Sequence, residues 1–324
     1  MKKVLFYSHQ LNLRGTTNAI VDYAEYNQTI LGNESTIIFN SGLRDPGKLD
    51  ILSDQNVINK LSKRFNVIGY DAGPDDNFGP MESIAAQYDL FYFLKAGKKE
   101  KPEIKSTKTA NHVVFQAYEP HGDVYAYVSE WLSNHCSDGL LQYVPHIVSL
   151  PPPNLDVRKK LGIPRTKFVF GRHGGMTTFD LPFVHKTIEN IVTTRDDVVF
   201  LMVNTKKFLD HPSIIYLPSF FGAQETSNFV NACDAMIHGR SHGESFGLAI
   251  CDFLYHNKPV LAWEGGIDKN HVTLLGKHGL LYNEQNLYAK MIHVRHILNR
   301  NFKQIVEPFS PENVMKKFDE VFIK

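Results

Sequence analysis

Cysteine is scarce in this 324-residue chain: Cys136, Cys233 and Cys251 are all it has, and none stands in a CxxC pair. That argues against a disulfide framework or a thiolate zinc site and for a reducing compartment. An excess of one charge is lacking too. With 35 basic and 34 acidic side chains the formal net charge is +1, so no field draws in a polyanion, and nucleic acid is not expected as a partner. Long apolar runs are missing. VVFLMV at 198–203 is too short to span a bilayer, and the apolar part of MKKVLFYSHQ is too short for a signal-peptide core, so a cytoplasmic place is expected. No GxGxxG follows either strand that could open a nucleotide fold, which removes the dinucleotide fingerprint.

What is present is an alternation of short apolar runs with helical patterns. KVLFYS at 3–8 enters the polar loop HQLNLRGTT, and a helix follows with Ile20, Val21, Tyr23 and Ala24 as its apolar positions. STIIFN, NVIGYD, LFYFLK and HVVFQAY read as further strands, and strands alternating with helices imply a parallel sheet covered on both faces. SLPPPNLDVRKKLGIPRT at 149–166 breaks the pattern, and its three prolines make a stiff linker. The alternation then restarts with FVFGR, a helix near 181–193, VVFLMV, IIYLP, a helix near 223–232, AMIHG, a helix near 247–256, and PVLAW. The expected fold class is α/β with two doubly wound, Rossmann-like domains, 1–150 and 151–310. A C-terminal helix at about 311–324 is placed to pack back on the first. The lysine-rich run KAGKKEKPEIKSTK at 95–108 reads most simply as a solvated loop.

Open α/β sheets bind ligands beyond the carboxyl ends of their strands, so three loops stand out. The first lies in HGRSHGESFGLAICD at 238–252. Ser245 is placed to cap the helix that follows, Gly247 to let backbone approach a ligand, and the helix N-terminus to hold a phosphate. Glu244 sits at the strand-to-helix turn, where its carboxylate can accept hydrogen bonds from sugar hydroxyls, and Asp252 returns to the same face two turns on. The plain alternative is a capping acid and a solvated Asp. A zinc site on His238 and His242 would need a helix there, and Gly239 and Gly243 argue against one. In the second loop, FVFGRHGG at 168–175, Arg172 emerges where an anion can be held; the alternative is a surface arginine beside a glycine turn. The third, EPHGD at 119–123, offers Glu119, His121 and Asp123. A metal on them would need a third element, so a single His contacting substrate hydroxyls, or a structural turn histidine, is simpler.

From about Pro151 onward the order of these motifs resembles the retaining glycosyltransferases of the GT-B fold, especially family 4. The carriers are the proline linker, the strand ending in Gly171-Arg172, VNACDAMIHG, GESFGLAICD, the strand start Lys258-Pro259-Val260, and GKHGLLYN. GESFGLAICD matches the family's E-x7-E motif, with Glu244 as first acid, Phe246-Gly247-Leu248 as its F-G-L and Asp252 as second acid. The resemblance covers about half the chain; in the first half it rests on LFYSHQLNLRGTTNAIVDYA and VFQAYEPHGDVYAYVSEWL.

The resemblance implies a hexosyltransferase with two domains facing across a cleft. A nucleotide-diphosphate sugar would bind the second domain, and a sugar, lipid-linked or protein acceptor the first. A lipid-linked acceptor would imply peripheral membrane contact, although no basic amphipathic anchor stands out. No metal or other cofactor is implied, and no D-x-D of the metal-dependent GT-A class occurs. Carried over residue by residue, Arg172 is the cation on the leaving diphosphate, Glu244 contacts sugar hydroxyls, Asp252 the ribose, Gly15 lies near the phosphate or sugar, and His121 near the anomeric centre. Ser245, Phe246 and Gly247 complete the donor loop. Two departures matter: the family's lysine after the arginine is absent from GGMTTF, and the second acid is Asp rather than Glu. Arg240 is the candidate for the missing charge. A nucleotide-sugar epimerase of GT-B shape and a catalytically idle binder stand as alternatives.

Overall fold

The computed structural model describes residues 1–42, 52–71 and 78–324, which divide into two compact units, Met1–Ile147 with Pro311–Lys324, and Val148–Ser310. The first unit holds strands β1 (Lys3–Ser8), β2 (Glu34–Asn40), β3 (Asn66–Tyr70), β4 (Leu90–Lys95), β5 (Lys108–Val113) and β6 (Val124–Tyr127). All pair in parallel, in the order β3-β2-β1-β4-β5-β6, with helices α1 (Gly15–Thr29), α2 (Gln55–Leu61), α3 (Gly79–Ala85) and α4 (Glu130–Ser137) between or after them. The strand order reverses between β1 and β4, which makes their carboxyl ends the switch point where such sheets open a crevice. Every residue of β4 is buried, because a parallel sheet is covered on both faces. Leu5, Tyr7, Phe91 and Phe93 fill one face. On the other, Phe6 and Tyr92 pack with Tyr23 of α1 and Phe318.

β5 begins four residues before the apolar run HVVFQAY, and that run leaves the sheet after Val113. Hydropathy misplaces the strand because its buried residues are polar and satisfied by side chains. The Asp123 carboxylate accepts from Thr109 N–H at 2.8 Å, and Asn111 Nδ2 donates to His121 O at 2.8 Å. His112 accepts from Tyr92 Oη at 2.6 Å and donates from Nε2 to Val144 O at 2.8 Å. Burial pushes the His112 imidazole down to about 3, against hydrogen bonds to Val144 and Tyr127 that raise it. The native state thus keeps it neutral while the unfolded chain takes up a proton as pH falls below 6.5. His112 should contribute stability that is fully present above pH 6.5 and falls by about 3 kcal/mol by pH 4. Urea midpoints between pH 7 and 4 check this: His112→Gln should flatten the slope, and an unchanged slope would place the acid sensitivity elsewhere.

The second unit repeats the plan with β7 (Phe168–Arg172), β8 (Val198–Val203), β9 (Ile214–Leu217), β10 (Ala235–His238), β11 (Gly243–Glu244), β12 (Val260–Trp263), β13 (Asp268–Lys269) and β14 (Leu280–Tyr282). Its main sheet runs β14-β12-β10-β7-β8-β9, so here the switch point lies between β7 and β10; β11 and β13 pair separately. The helices are α5 (Val157–Lys160), α6 (Pro182–Thr194), α7 (Ala223–Ala232), α8 (Leu248–Tyr255), α9 (Asn270–Leu275) and α10 (Leu287–His293). Phe168, Phe170 and Phe200 meet Val184 and Ile188 of α6 in the core. The triple-proline segment is docked on α7: Ser227 Oγ donates to Pro151 O at 2.6 Å, and Asn228 Oδ1 accepts from Asn154 N–H at 2.8 Å. The last helix, α11 (Pro311–Phe318), belongs to the first unit, where Phe318 stacks on Tyr23 with centroids 5.3 Å apart. Among the described residues no helix is long and apolar enough to cross a membrane.

Candidate active site

Glu244 is held between two glycines in the left-handed region. Gly243 has φ +81°, and a Cβ there would fall 1.9 Å from Asp268 O; Gly247 has φ +96° and opens α8. No side chain fits the first position, and an L-residue strains the second, so the turn is fixed by backbone. Glu244 Oε1 lies 3.0 Å from His238 Nε2, and Oε2 accepts from Arg240 Nη1 at 2.9 Å. Its N–H donates to His271 Nδ1 at 3.3 Å, while His271 Nε2 donates to Trp263 O at 2.8 Å, which fixes that ring as the Nε2–H tautomer. Burial pushes His271 down to about 4 and keeps it neutral. The Glu244 side chain is 19% exposed. Burial alone would raise its carboxyl, but the His238 hydrogen bond and the charges of His238 and Arg240 outweigh that and hold it below the usual carboxylate range.

The loop differs from expectation at two residues. Ser245 does not cap α8; Gly247 is the N-cap and no side chain closes it, because the left-handed glycine turns the chain after Ser245. Phe246 is buried with its ring 5.2 Å from Phe309, and its carbonyl accepts from Asn270 Nδ2 at 2.7 Å, so it packs the loop down. His238 and His242 do not converge: His242 Nε2 lies 3.2 Å from Asp268 Oδ2. Among the described residues no three His, Cys, Asp or Glu side chains cluster as a metal site.

Asp252 sits on α8 with His173 Nε2 3.3 Å from Oδ2, an ion-pair distance with an angle too poor for a hydrogen bond. His173 directly follows β7, and His238 ends the adjacent β10. The two acids therefore meet the two strand ends that flank the switch point.

Arg172 is placed differently from the expected donor-facing cation. Only 3% exposed, its Nη1 contacts Val203 O at 3.1 Å, Asn204 O at 2.9 Å and Thr205 Oγ1 at 2.7 Å. Its Nη2 donates to Gly175 O at 2.6 Å and Thr178 Oγ1 at 2.7 Å. Both terminal nitrogens are committed to joining the loops after β7 and β8, and burial lowers the guanidinium to about 10, with Glu244 opposing. In the first unit, His121 also has both ring nitrogens engaged: Nδ1 donates to Glu119 O at 2.5 Å and Nε2 accepts from Lys95 Nζ at 2.9 Å. Its expected direct contact with a sugar has no ring nitrogen left to make it. Gly15 is the exposed first residue of α1.

In the second unit the structure thus sets Arg240, His238 and His271 against Glu244, and His173 against Asp252; sequence reasoning left His173 and His271 without a role and weighed His238 only as a zinc ligand. Their signal was only position: His173 and His238 each stand at the carboxyl end of a strand beside the switch point.

No protein-family model matches the chain, and no curated protein matches it. Solved structures do. The glycosyltransferase from Rickettsia africae ESF-5 is 15% identical, with a TM-score of 0.70 over 99% of this chain and 97% of that one. Anabaena Alr3699/HepE in complex with UDP-glucose is 13% identical, with a TM-score of 0.75 over 99% of each chain. Sucrose-phosphate synthase from Thermosynechococcus elongatus is 12% identical, with a TM-score of 0.71 over 99% of this chain and 98% of that one. The chain has the GT-B fold; of these structural neighbours the Rickettsia protein is a glycosyltransferase and the Anabaena protein holds UDP-glucose.

Proposed function

We propose that this chain is a glycosyltransferase that moves a hexose from a nucleoside-diphosphate sugar to an acceptor, with retention, without a metal, and in the manner of family 4. The observation that carries the reading is Glu244: an enclosed carboxylate kept ionised by His238 and Arg240 at the switch point of the second unit. Such a carboxylate accepts hydrogen bonds from sugar hydroxyls more strongly as the ring gains positive charge, and so favours the transition state. Asp252, with His173 beside it, is the proposed ribose contact. Arg240 and the N–H groups that open α8 are the proposed counter-charge for the leaving diphosphate. Gly15, at the head of α1, is proposed as a backbone contact, and Arg172 as the brace that shapes the loop around the donor. None of Cys136, Cys233 and Cys251 is in a disulfide, which supports a cytoplasmic place.

Because a neighbour holds UDP-glucose, UDP is the first nucleotide to test. With EDTA present, UDP at about 100 times its Kd should stabilise the second unit by about 2.7 kcal/mol, read as a rise in Tm. Absence of a shift with UDP, GDP and ADP alike would overturn the donor reading. Activity lost on chelation and restored by magnesium or manganese would overturn the metal-free part. Two observations favour a second reading, a binder of nucleotide sugars without turnover: Arg172 is committed to the protein and the family's lysine is absent. UDP binding with no UDP released from UDP-glucose across an acceptor panel would establish that reading.

A further inference from the structure

The loop that carries Arg240 is clasped from outside by a residue that the donor reading leaves unused. Arg240 stands between Gly239 and Ser241, and Asp180 holds both of these neighbours. Asp180 N–H donates to Gly239 O at 3.0 Å. Its Oδ1 accepts from Ser241 N–H at 2.7 Å and its Oδ2 from Ser241 Oγ at 2.5 Å. Three hydrogen bonds thus fix the backbone on either side of one side chain, whose Nη1 donates to Glu244 Oε2. Phe179 adds to the grip: its ring lies against Gly239, where a Cβ would fall 2.8 Å from it, and the Arg172 guanidinium carbon sits 5.7 Å from the same ring's centroid.

An acid in this place would ordinarily serve its own helix. Asp180 directly precedes Leu181 and Pro182, which open α6, and a carboxylate there complements the helix dipole. Yet no side chain caps α6, and both Asp180 oxygens turn instead to a residue 61 positions further on. Asp180 closes the loop after β7, while Ser241 follows β10, the strand paired with it. The clasp therefore ties together the two loops that flank the switch point. A free arginine side chain carries about 2 kcal/mol of rotamer entropy. Holding its backbone in place leaves less to be lost when Glu244 and a ligand share its guanidinium.

We propose that Asp180 is a positioning residue for the reaction: by pinning Gly239 and Ser241 it sets Arg240 against Glu244 and toward the leaving diphosphate. The inference rests on the transferase reading for what Arg240 does, not for what holds it. Hydrogen bonding rather than charge carries the effect. The carboxylate accepts twice from Ser241, and an Asn side chain can match both partners as well, since its oxygen accepts from the N–H and its amide donates to the hydroxyl. Alanine at 180 matches neither, and alanine at 241 keeps the backbone bond alone.

The test reads UDP release from UDP-glucose in a double-mutant cycle. Asp180→Ala should lower kcat at least about tenfold in the wild-type background and less than about twofold in Arg240→Ala, because nothing is left to position once the arginine is gone. Asp180→Asn should stay within about threefold of wild type, and Ser241→Ala should fall between the two Asp180 variants. A general loss of structure would cost the same factor in both backgrounds, so equal factors would overturn the assignment. So would a wild-type kcat in Asp180→Ala, or an Asp180→Asn enzyme as slow as Asp180→Ala. The Glu244 carboxyl, followed by carbon-13 NMR as pH falls, gives a readout that needs no turnover. Arg240 helps to hold it below the usual carboxylate range, so it should titrate higher in Asp180→Ala and Arg240→Ala than in wild type or Asp180→Asn. A wild-type titration in Asp180→Ala would overturn the clasp. Should the wild-type protein release no UDP, the transferase reading falls and the carboxyl titration decides the clasp by itself.

Discussion

Glu244→Gln should lower turnover about 100- to 1000-fold while leaving UDP affinity within about threefold, because a preorganised carboxylate acts on charge that develops only in the transition state. Gln keeps the shape and removes the charge, so Gly243 and Gly247 still set the turn. Arg240 Nη1 and His238 Nε2, now 2.9 and 3.0 Å from the carboxylate oxygens, would face an amide that can accept at one position only. Arg240→Ala should lower turnover too, both by loosening Glu244 and by removing the proposed counter-charge. Steady-state kinetics with UDP-glucose, paired with UDP titration, separates the outcomes. An unchanged kcat in Glu244→Gln would reduce this residue to a structural anchor of its loop.

Arg172→Ala should destabilise the second unit by about 3 to 5 kcal/mol, since it leaves the carbonyls of Val203, Asn204 and Gly175 and the hydroxyls of Thr205 and Thr178 without their shared donor. Arg172→Lys should recover little of this, because one ammonium cannot span acceptors on two loops as a planar guanidinium does. The chain has two tryptophans, Trp131 in the first unit and Trp263 in the second. In a Trp131→Phe background, fluorescence therefore reports the second unit alone during urea unfolding. A wild-type midpoint together with a large fall in turnover would return Arg172 to the role of substrate-facing cation.

The amino-acid pattern by itself determined the α/β class and its duplication. Buried parallel strands are written as continuous apolar runs, so KVLFYS, LFYFLK, FVFGR and VVFLMV are visible as local composition. It also marked the loop around Glu244, since a left-handed turn demands glycine and GESFG carries one on each side. Tertiary structure alone decided which charged groups are available to a ligand. Arg172 looks like an exposed cation at a strand end, yet the loop after β8 comes back to surround it; Lys95 opens the lysine-rich run and looks solvated, yet it is only 3% exposed, because it closes the inward-facing row of Phe91 and Phe93 on β4. β5 shows the same limit, for KTANHV reads as polar until Asp123, Tyr92 and Val144 supply its partners from outside the strand. Apolar burial is additive over near neighbours and leaves a local trace in composition. A buried polar group is tolerated only when its hydrogen bonds close, and the residues that close them stand far away in the chain, where only the folded backbone brings them into reach.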